Sequence, residues 1–397
     1  MQKINHKVYY LNNELKTINT IKKTIILEKK SKYDSLDFSI LLDTLTNRIK
    51  KYNKLEFKKI KALNYNVDFK VNYKELEQNI LINITVEFLS LEYLSNNSPI
   101  IALIKDIFTG LYLTKEDLEL TIIDYRNLYQ QIKDINDQYI KYLLKDEVYQ
   151  DDVNMSTYQE NEQYLVRLKT SELLNKIELL NSDNYFYIIE SSQTTLEIIK
   201  PHFITNEVAL QVYSTKVMQI SNEFKKLELF KNQNQVSIAM TYQGLINKEH
   251  DEYILRLLNM ILGRTAFSLL FKNVREKESL CYSIYSQEEL NYGINIYTGV
   301  EYQNYEQAIK LIDKQFTKLK SGDIKEEFNK AQAKYLSDLQ QESTKLLTQE
   351  ILLYKNLIYQ TTEYEITKII TRVQAITIED IQILAQKLNL TKIVLKN

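Results

Sequence analysis

Residues 262–286 read LGRTAFSLLFKNVREKESLCYSIYS. Thr265 to Val274 reads as helix and Leu280 to Ser286 as strand, so the stretch is a helix–turn–strand unit. Arg275 closes the helix, and Tyr282 lies in the strand seven positions later. Strict alternation puts Leu280, Tyr282 and Ile284 on one strand face, which makes Tyr282 a candidate core residue. Arg275 has two acids at hand, Glu276 and Glu278. On spacing alone, packing plus a surface ion pair is the default reading of this Arg and Tyr. Cys281 falls on the opposite face from Tyr282, with no His near in sequence to activate it, and reads as a structural thiol.

Working outward, Gln235 to Thr241 is a strand and Asp251 to Asn259 a helix. Gly293 to Glu301 is a strand whose flanking Gly293 and Gly299 suggest a bulge or a close backbone approach. Helices follow at Tyr305 to Leu319, Lys325 to Tyr359 and Ile378 to Leu388, and Thr391 to Lys396 is a last strand. The N-terminal half shows the same order. Thr20 to Leu27 is β-rich, Leu36 to Ile49 helical, Tyr65 to Val71 and Asn79 to Phe88 strands. Ile100 to Phe108, Lys115 to Asp146 and Ser171 to Leu180 are helical, and Tyr185 to Glu190 is a closing strand.

A faint duplication ties the halves together. Thr114-Lys115-Glu116-Asp117-Leu118 opens one helix, and Ile324-Lys325-Glu326-Glu327-Phe328 opens another 210 positions later. At that offset Tyr125 meets Tyr335, and Gln130-Gln131 meets Gln340-Gln341. Gly110 and Gly322 precede the two helices. Upstream, Ile82-Asn83-Ile84 corresponds to Ile294-Asn295-Ile296. Runs of strands followed by runs of helices indicate an α+β fold, an antiparallel sheet covered by helices in each half. The expected domains are residues 1–195 and 205–397, meeting near 191–206 around Pro201.

Composition narrows the function. The chain has 397 residues, with Lys+Arg 51 against Asp+Glu 52 and a net charge of −1. No basic field exists for nucleic acid or an anionic membrane. A single Cys rules out an internal disulfide framework, and three His leave little for a metal site. The N-terminus has no apolar signal core, and no run of about 18 apolar residues occurs. The expectation is a cytoplasmic protein without membrane insertion. The 30 Tyr accompany heavy use of Lys, Asn and Ile, and as a group carry no functional weight.

Residues 262–286 resemble the second-domain signature of the insulinase/pitrilysin metallopeptidase family, the inverzincins. That signature runs Leu-Gly, small, aromatic, Ser, x-Leu-Phe, Arg-Glu-Lys, Leu, small, Tyr-Ser. The length of the chain, its duplicated α+β unit and the Gly-Asp-Ile-Lys-Glu-Glu helix start at Gly322 agree. Ser279 stands where the family often has Gly. The resemblance implies a zinc motif, His-x-x-Glu-His, on the first helix of the first domain, with a further Glu from a later helix. Here that helix reads Ser39-Ile40-Leu41-Leu42-Asp43-Thr44-Leu45-Thr46-Asn47-Arg48. It holds no His and no Glu. His6, His202 and His250 form no such motif elsewhere, and His250 reads as solvated beside Glu249. No metal ligand and no cofactor is expected in this chain.

The resemblance gives Arg275 and Tyr282 a role in trans. In the family an Arg and a Tyr at this spacing reach across to the zinc site. A phenol O–H can donate to the oxyanion of a tetrahedral intermediate. A guanidinium offers a fixed fork of donors to a substrate carbonyl. With the flanking signature, the site reading of this pair takes precedence over packing. The implied protein is the non-catalytic subunit of a two-chain bacterial metallopeptidase, inactive alone. It would form half of a clamshell with a homologous subunit that carries His-x-x-Glu-His and the zinc. Its substrate would be a peptide or unfolded polypeptide that is cleaved or matured. The alternative is a non-catalytic peptide-binding or assembly protein of the same fold.

Overall fold

The computed structural model describes residues 1–5, 7–45, 48–203, 209–213, 218–230 and 234–397. Two mixed sheets organise it. The first contains β1 (Gln2–Asn5), β2 (Val8–Asn12), β3 (Ile18–Glu28), β4 (Asp68–Leu76), β5 (Asn79–Leu89) and β6 (Tyr185–Ser191). Its order is β1-β2-β6-β3-β5-β4. The second contains β7 (Lys225–Leu229), β8 (Gln235–Gln243), β9 (Cys281–Glu289), β10 (Gly293–Glu301) and β11 (Asn389–Lys396). Its order is β7-β11-β8-β10-β9. Leaving out β1, the two orders are the same: the first strand lies beside the last, then the second, the fourth and the third. The α+β class follows, with one refinement. Each sheet carries a parallel pair, β2 with β6 and β7 with β11, among antiparallel neighbours.

The offset of 210 survives in the helices. Lys115–Ile132 and Lys325–Glu342 are both 18 residues long, and Asn136–Val148 and Leu346–Ile358 are both 13. The sequence suggests one long helix in each half. The structure breaks each into two, because Ile135 and Lys345 adopt extended backbone ahead of the second helix. No Gly or Pro marks either break. Leu36 to Ile49 is shorter than expected, a helix over Asp34–Thr44, with 46 and 47 outside the described residues. The strand expected at Tyr65 starts at Asp68, since Tyr65 and Asn66 turn through positive φ. The segment around Pro201 is a helix, Gln193–Phe203, with Pro201 in its last turn; 204–206 lie outside the described residues.

The chain folds into two compact units, and these are not contiguous halves. One unit holds Met1–Asn127, Asn161–Val217 and Thr344–Thr362; the other holds Leu128–Glu160, Met218–Ser343 and Glu363–Asn397. The two equivalent 13-residue helices are thus exchanged. In the first unit, Tyr354 and Ile358 pack with Tyr9, Ile26, Leu81, Phe186 and Ile188. Lys22 pairs with the buried Glu350, and the Tyr354 hydroxyl donates to Asn83 at 2.9 Å. In the second unit, Ile140 and Leu144 pack with Ala239, Tyr297 and Val394. Spacing of i and i+4 gives each helix the apolar stripe that a sheet face covers.

Candidate functional site: the β9 edge and the turn before it

The helix Lys248–Asn259 starts on Asn247, whose side chain accepts from the Glu249 and His250 amides. It runs into a wide π-helical turn, Met260–Arg264. Gly263 is required there. A methyl group at its α-carbon would lie 2.6 Å from Ser286 Oγ and 2.9 Å from the Ser286 amide nitrogen. Ser286 Oγ in turn donates to Asn259 Oδ1 at 2.5 Å. The Leu-Gly at 262–263 is therefore the seat on which β9 rests.

A second π-helical turn, Phe271–Lys277, carries Arg275. Such turns recur at functional sites. Leu269, Leu270 and Val274 are fully buried and fix its inner side. On the outer side the Arg275 guanidinium stacks on the Phe271 ring, 4.5 Å from the centroid. Among the described residues Arg275 makes no salt bridge, so the pairing with Glu276 or Glu278 open to it in sequence is not made. Phe271 is a residue that sequence reasoning missed; its i,i+4 spacing to Arg275 was the available signal.

The link to β9 passes through Ser279, which has φ of +52°. That is the left-handed region, where a Cβ costs roughly 1–2 kcal/mol. A Gly would hold this turn without that cost, which Ser279 bears. Ser279→Gly is expected to raise stability by about 0.5–1 kcal/mol, after the larger unfolded-state entropy of Gly is subtracted. Chemical denaturation of the two proteins side by side checks it.

The register of β9 on β10 settles where Tyr282 points. Ile284 pairs with Thr298, but Val300 pairs with Cys281. Two residues, Tyr282 and Ser283, therefore stand opposite Gly299, which is a β-bulge. The bulge flips the alternation. Cys281, and not Tyr282, shares the inward side with Ile284 and Ser286, while Tyr282 is 89% exposed. The core alternative for Tyr282 fails for this reason. A methyl at Gly299 would meet nothing within 4 Å, so the space opposite the bulge is open. Burial raises the Cys281 thiol pKa, against smaller lowering effects from Thr298 and the Arg275 charge. A thiol so raised is a poor nucleophile.

The first helix offers no zinc ligands. Its buried face is Leu36, Phe38, Ile40, Leu41 and Leu42. Asp34 and Asp37 are held by Lys176 at 2.5 and 2.6 Å, and Tyr164 donates to Asp37 at 2.7 Å. Arg48, Thr44 and Asp43 face the Lys115–Ile132 helix, bonded to Asp117, Thr121 and Tyr125. This set of apolar and already bonded side chains does not fit the family's metal. His202 lies 3.3 Å from Lys105, His250 contacts Asp251 at 2.8 Å, and His6 lies outside the described residues. Among the described residues no three His, Cys, Asp or Glu converge to hold a metal. None of the described helices is long and apolar enough to cross a membrane.

Residues 170–335, which include both Arg275 and Tyr282, match the family described as the peptidase M16 inactive domain. Over 141 residues the chain is 30% identical to "Probable inactive metalloprotease YmfF" of Bacillus subtilis (strain 168). That match covers 35% of this chain and spans about a third, 33%, of the relative. Two solved structures share the fold over nearly their whole length. A conserved protein from Enterococcus faecalis V583 aligns with a TM-score of 0.82 at 17% identity, covering 98% of this chain and 96% of that one. A peptidase M16 inactive domain from Pseudomonas fluorescens aligns with a TM-score of 0.76 at 14% identity, covering 98% and 95%. Residues 170–335 are thus similar to the peptidase M16 inactive domain, and the chain as a whole shares the fold of these structures.

Proposed function

We propose that this chain is the zinc-less partner subunit of a cytoplasmic, two-chain peptidase. By their sequence repeat, residues 1–195 and 205–397 would be its two homologous insulinase-like domains, although the compact units are not contiguous along the chain. A homologous subunit with His-x-x-Glu-His would supply the zinc. When bound there, zinc activates a water for attack on a peptide carbonyl. This chain would supply Tyr282, whose O–H donates to the developing oxyanion, and Arg275, whose N–H fork holds a substrate carbonyl. The observation that supports the reading most is the bulge at Tyr282. It holds a large aromatic residue 89% exposed, seven positions after an arginine without a salt bridge among the described residues, in a chain whose first helix has no His and no Glu. A residue kept for packing would be buried.

The test is reconstitution with a homologous subunit that carries His-x-x-Glu-His. A quenched-fluorescent nonapeptide serves as substrate. The isolated chain is expected to carry no stoichiometric zinc and to leave the peptide intact. The pair is expected to hold one zinc and cleave it. One tightly held zinc in the isolated chain, or equal cleavage by the other subunit alone, defeats the proposal. An intact pair whose turnover ignores Tyr282 and Arg275 would favour the peptide-binding or assembly role.

A further inference from the structure

Arg275 is exposed, and its guanidinium lies over the Phe271 ring, 4.5 Å from the centroid. A long, solvated arginine without an acid partner would ordinarily sample many rotamers. The two ways of holding it differ in what they leave free. A carboxylate binds the N–H edge of the guanidinium and consumes the donors that a substrate carbonyl needs. An aromatic ring binds the flat face and leaves that edge open.

The turn that presents the ring is fixed on several sides. Leu269, Leu270 and Val274 are buried beneath it. Asn273 Nδ2 donates to the Leu269 carbonyl and to Gln315 Oε1, both at 2.9 Å. Lys272 reaches Glu326 and Glu327 at 3.4 Å, at the start of the Lys325 helix. Phe271 lies within this fixed turn, half-buried. From this arrangement we infer that Phe271 is a positioning residue for Arg275, a platform that orients the guanidinium toward substrate while keeping its hydrogen-bond donors free. The inference rests on the trans-acting role proposed above for Arg275.

Two measurements test it, one of them independent of activity. In the isolated chain, the Arg275 Nε–Hε resonance is identified by its loss in Arg275→Lys. A ring in face contact shifts that resonance. Phe271→Leu and Phe271→Met, which keep apolar volume but remove the ring, are expected to return it to the position of a solvated arginine. Phe271→Tyr is expected to keep it shifted. In the reconstituted pair, Phe271→Leu is expected to raise KM for the quenched-fluorescent nonapeptide ~2–5-fold, as for an exposed cation–π contact, with kcat nearly unchanged. Phe271→Tyr should restore KM.

An unmoved resonance in both ring-less variants, at wild-type melting temperature, overturns the inference. So does an unchanged KM in those variants while Arg275→Ala raises it. If Arg275→Ala also leaves KM unchanged, the trans-site reading itself has failed, and the positioning role goes with it.

Discussion

Tyr282→Phe is expected to reduce kcat of the zinc-loaded pair by ~10² to 10³, the usual loss on removing one oxyanion donor. The melting temperature of this subunit should not move. The ring of Tyr282 is 89% exposed and lies on a bulge, so its hydroxyl supports no core contact. KM should change little, because the lost hydrogen bond forms chiefly in the transition state. Arg275→Ala should differ by raising KM, since the guanidinium is assigned to a ground-state carbonyl as well. The decisive measurement takes kcat and melting temperature from the same Tyr282→Phe preparation. A destabilised subunit with normal turnover would return Tyr282 to a packing role.

The largest stability effect is expected at Gly293. Its φ is +141°, and a methyl on its α-carbon would lie 2.2 Å from the Tyr242 carbonyl oxygen and 3.0 Å from Leu388 Cδ2. The carbonyl cannot yield, because Tyr242 is in β8, paired with β10 on one side and β11 on the other. Its ring is also fixed, stacked 3.7 Å from Phe316 with its hydroxyl bonded to Asp313. Gly293→Ala should therefore cost about 3 kcal/mol or more, from backbone strain plus overpacking. For units of this size that is ~6–12 °C in melting temperature. Gly299→Ala is the control. It sits in the same strand with open space over it, and should change stability by no more than about 0.5 kcal/mol. Thermal scans of both variants decide the matter, and equal effects would show that the close approach at Gly293 does not control stability.

How far such features can be read from sequence depends on where the information resides. The helix–turn–strand order of 262–286 and the missing zinc donors are local facts, written in residue identity and spacing. The orientation of Tyr282 is not local. Strand alternation put it with Ile284, and only the pairing of Val300 with Cys281 reveals the extra residue that turns it outward. Gly299 hinted at irregularity but could not say which strand would bulge. The helix breaks before Asn136 and Leu346 were hidden for another reason. Apolar spacing continues across them, since Ile140 and Leu144 do face a sheet. An amphipathic stripe states that it will be covered and says nothing of which sheet will cover it.

The exchanged helices have a consequence during synthesis. A domain emerging from the ribosome usually folds once its last segment is clear. Here the first sheet, whose strands end at Ser191, waits for Tyr354 and Ile358, more than 150 residues later. Likewise Ile140 and Leu144 precede Val394, one of the residues that cover them, by about 250 positions. Neither core is complete until both of its sequence-distant segments have been made. The nascent protein must keep two apolar stripes and two unfinished sheets in solution together.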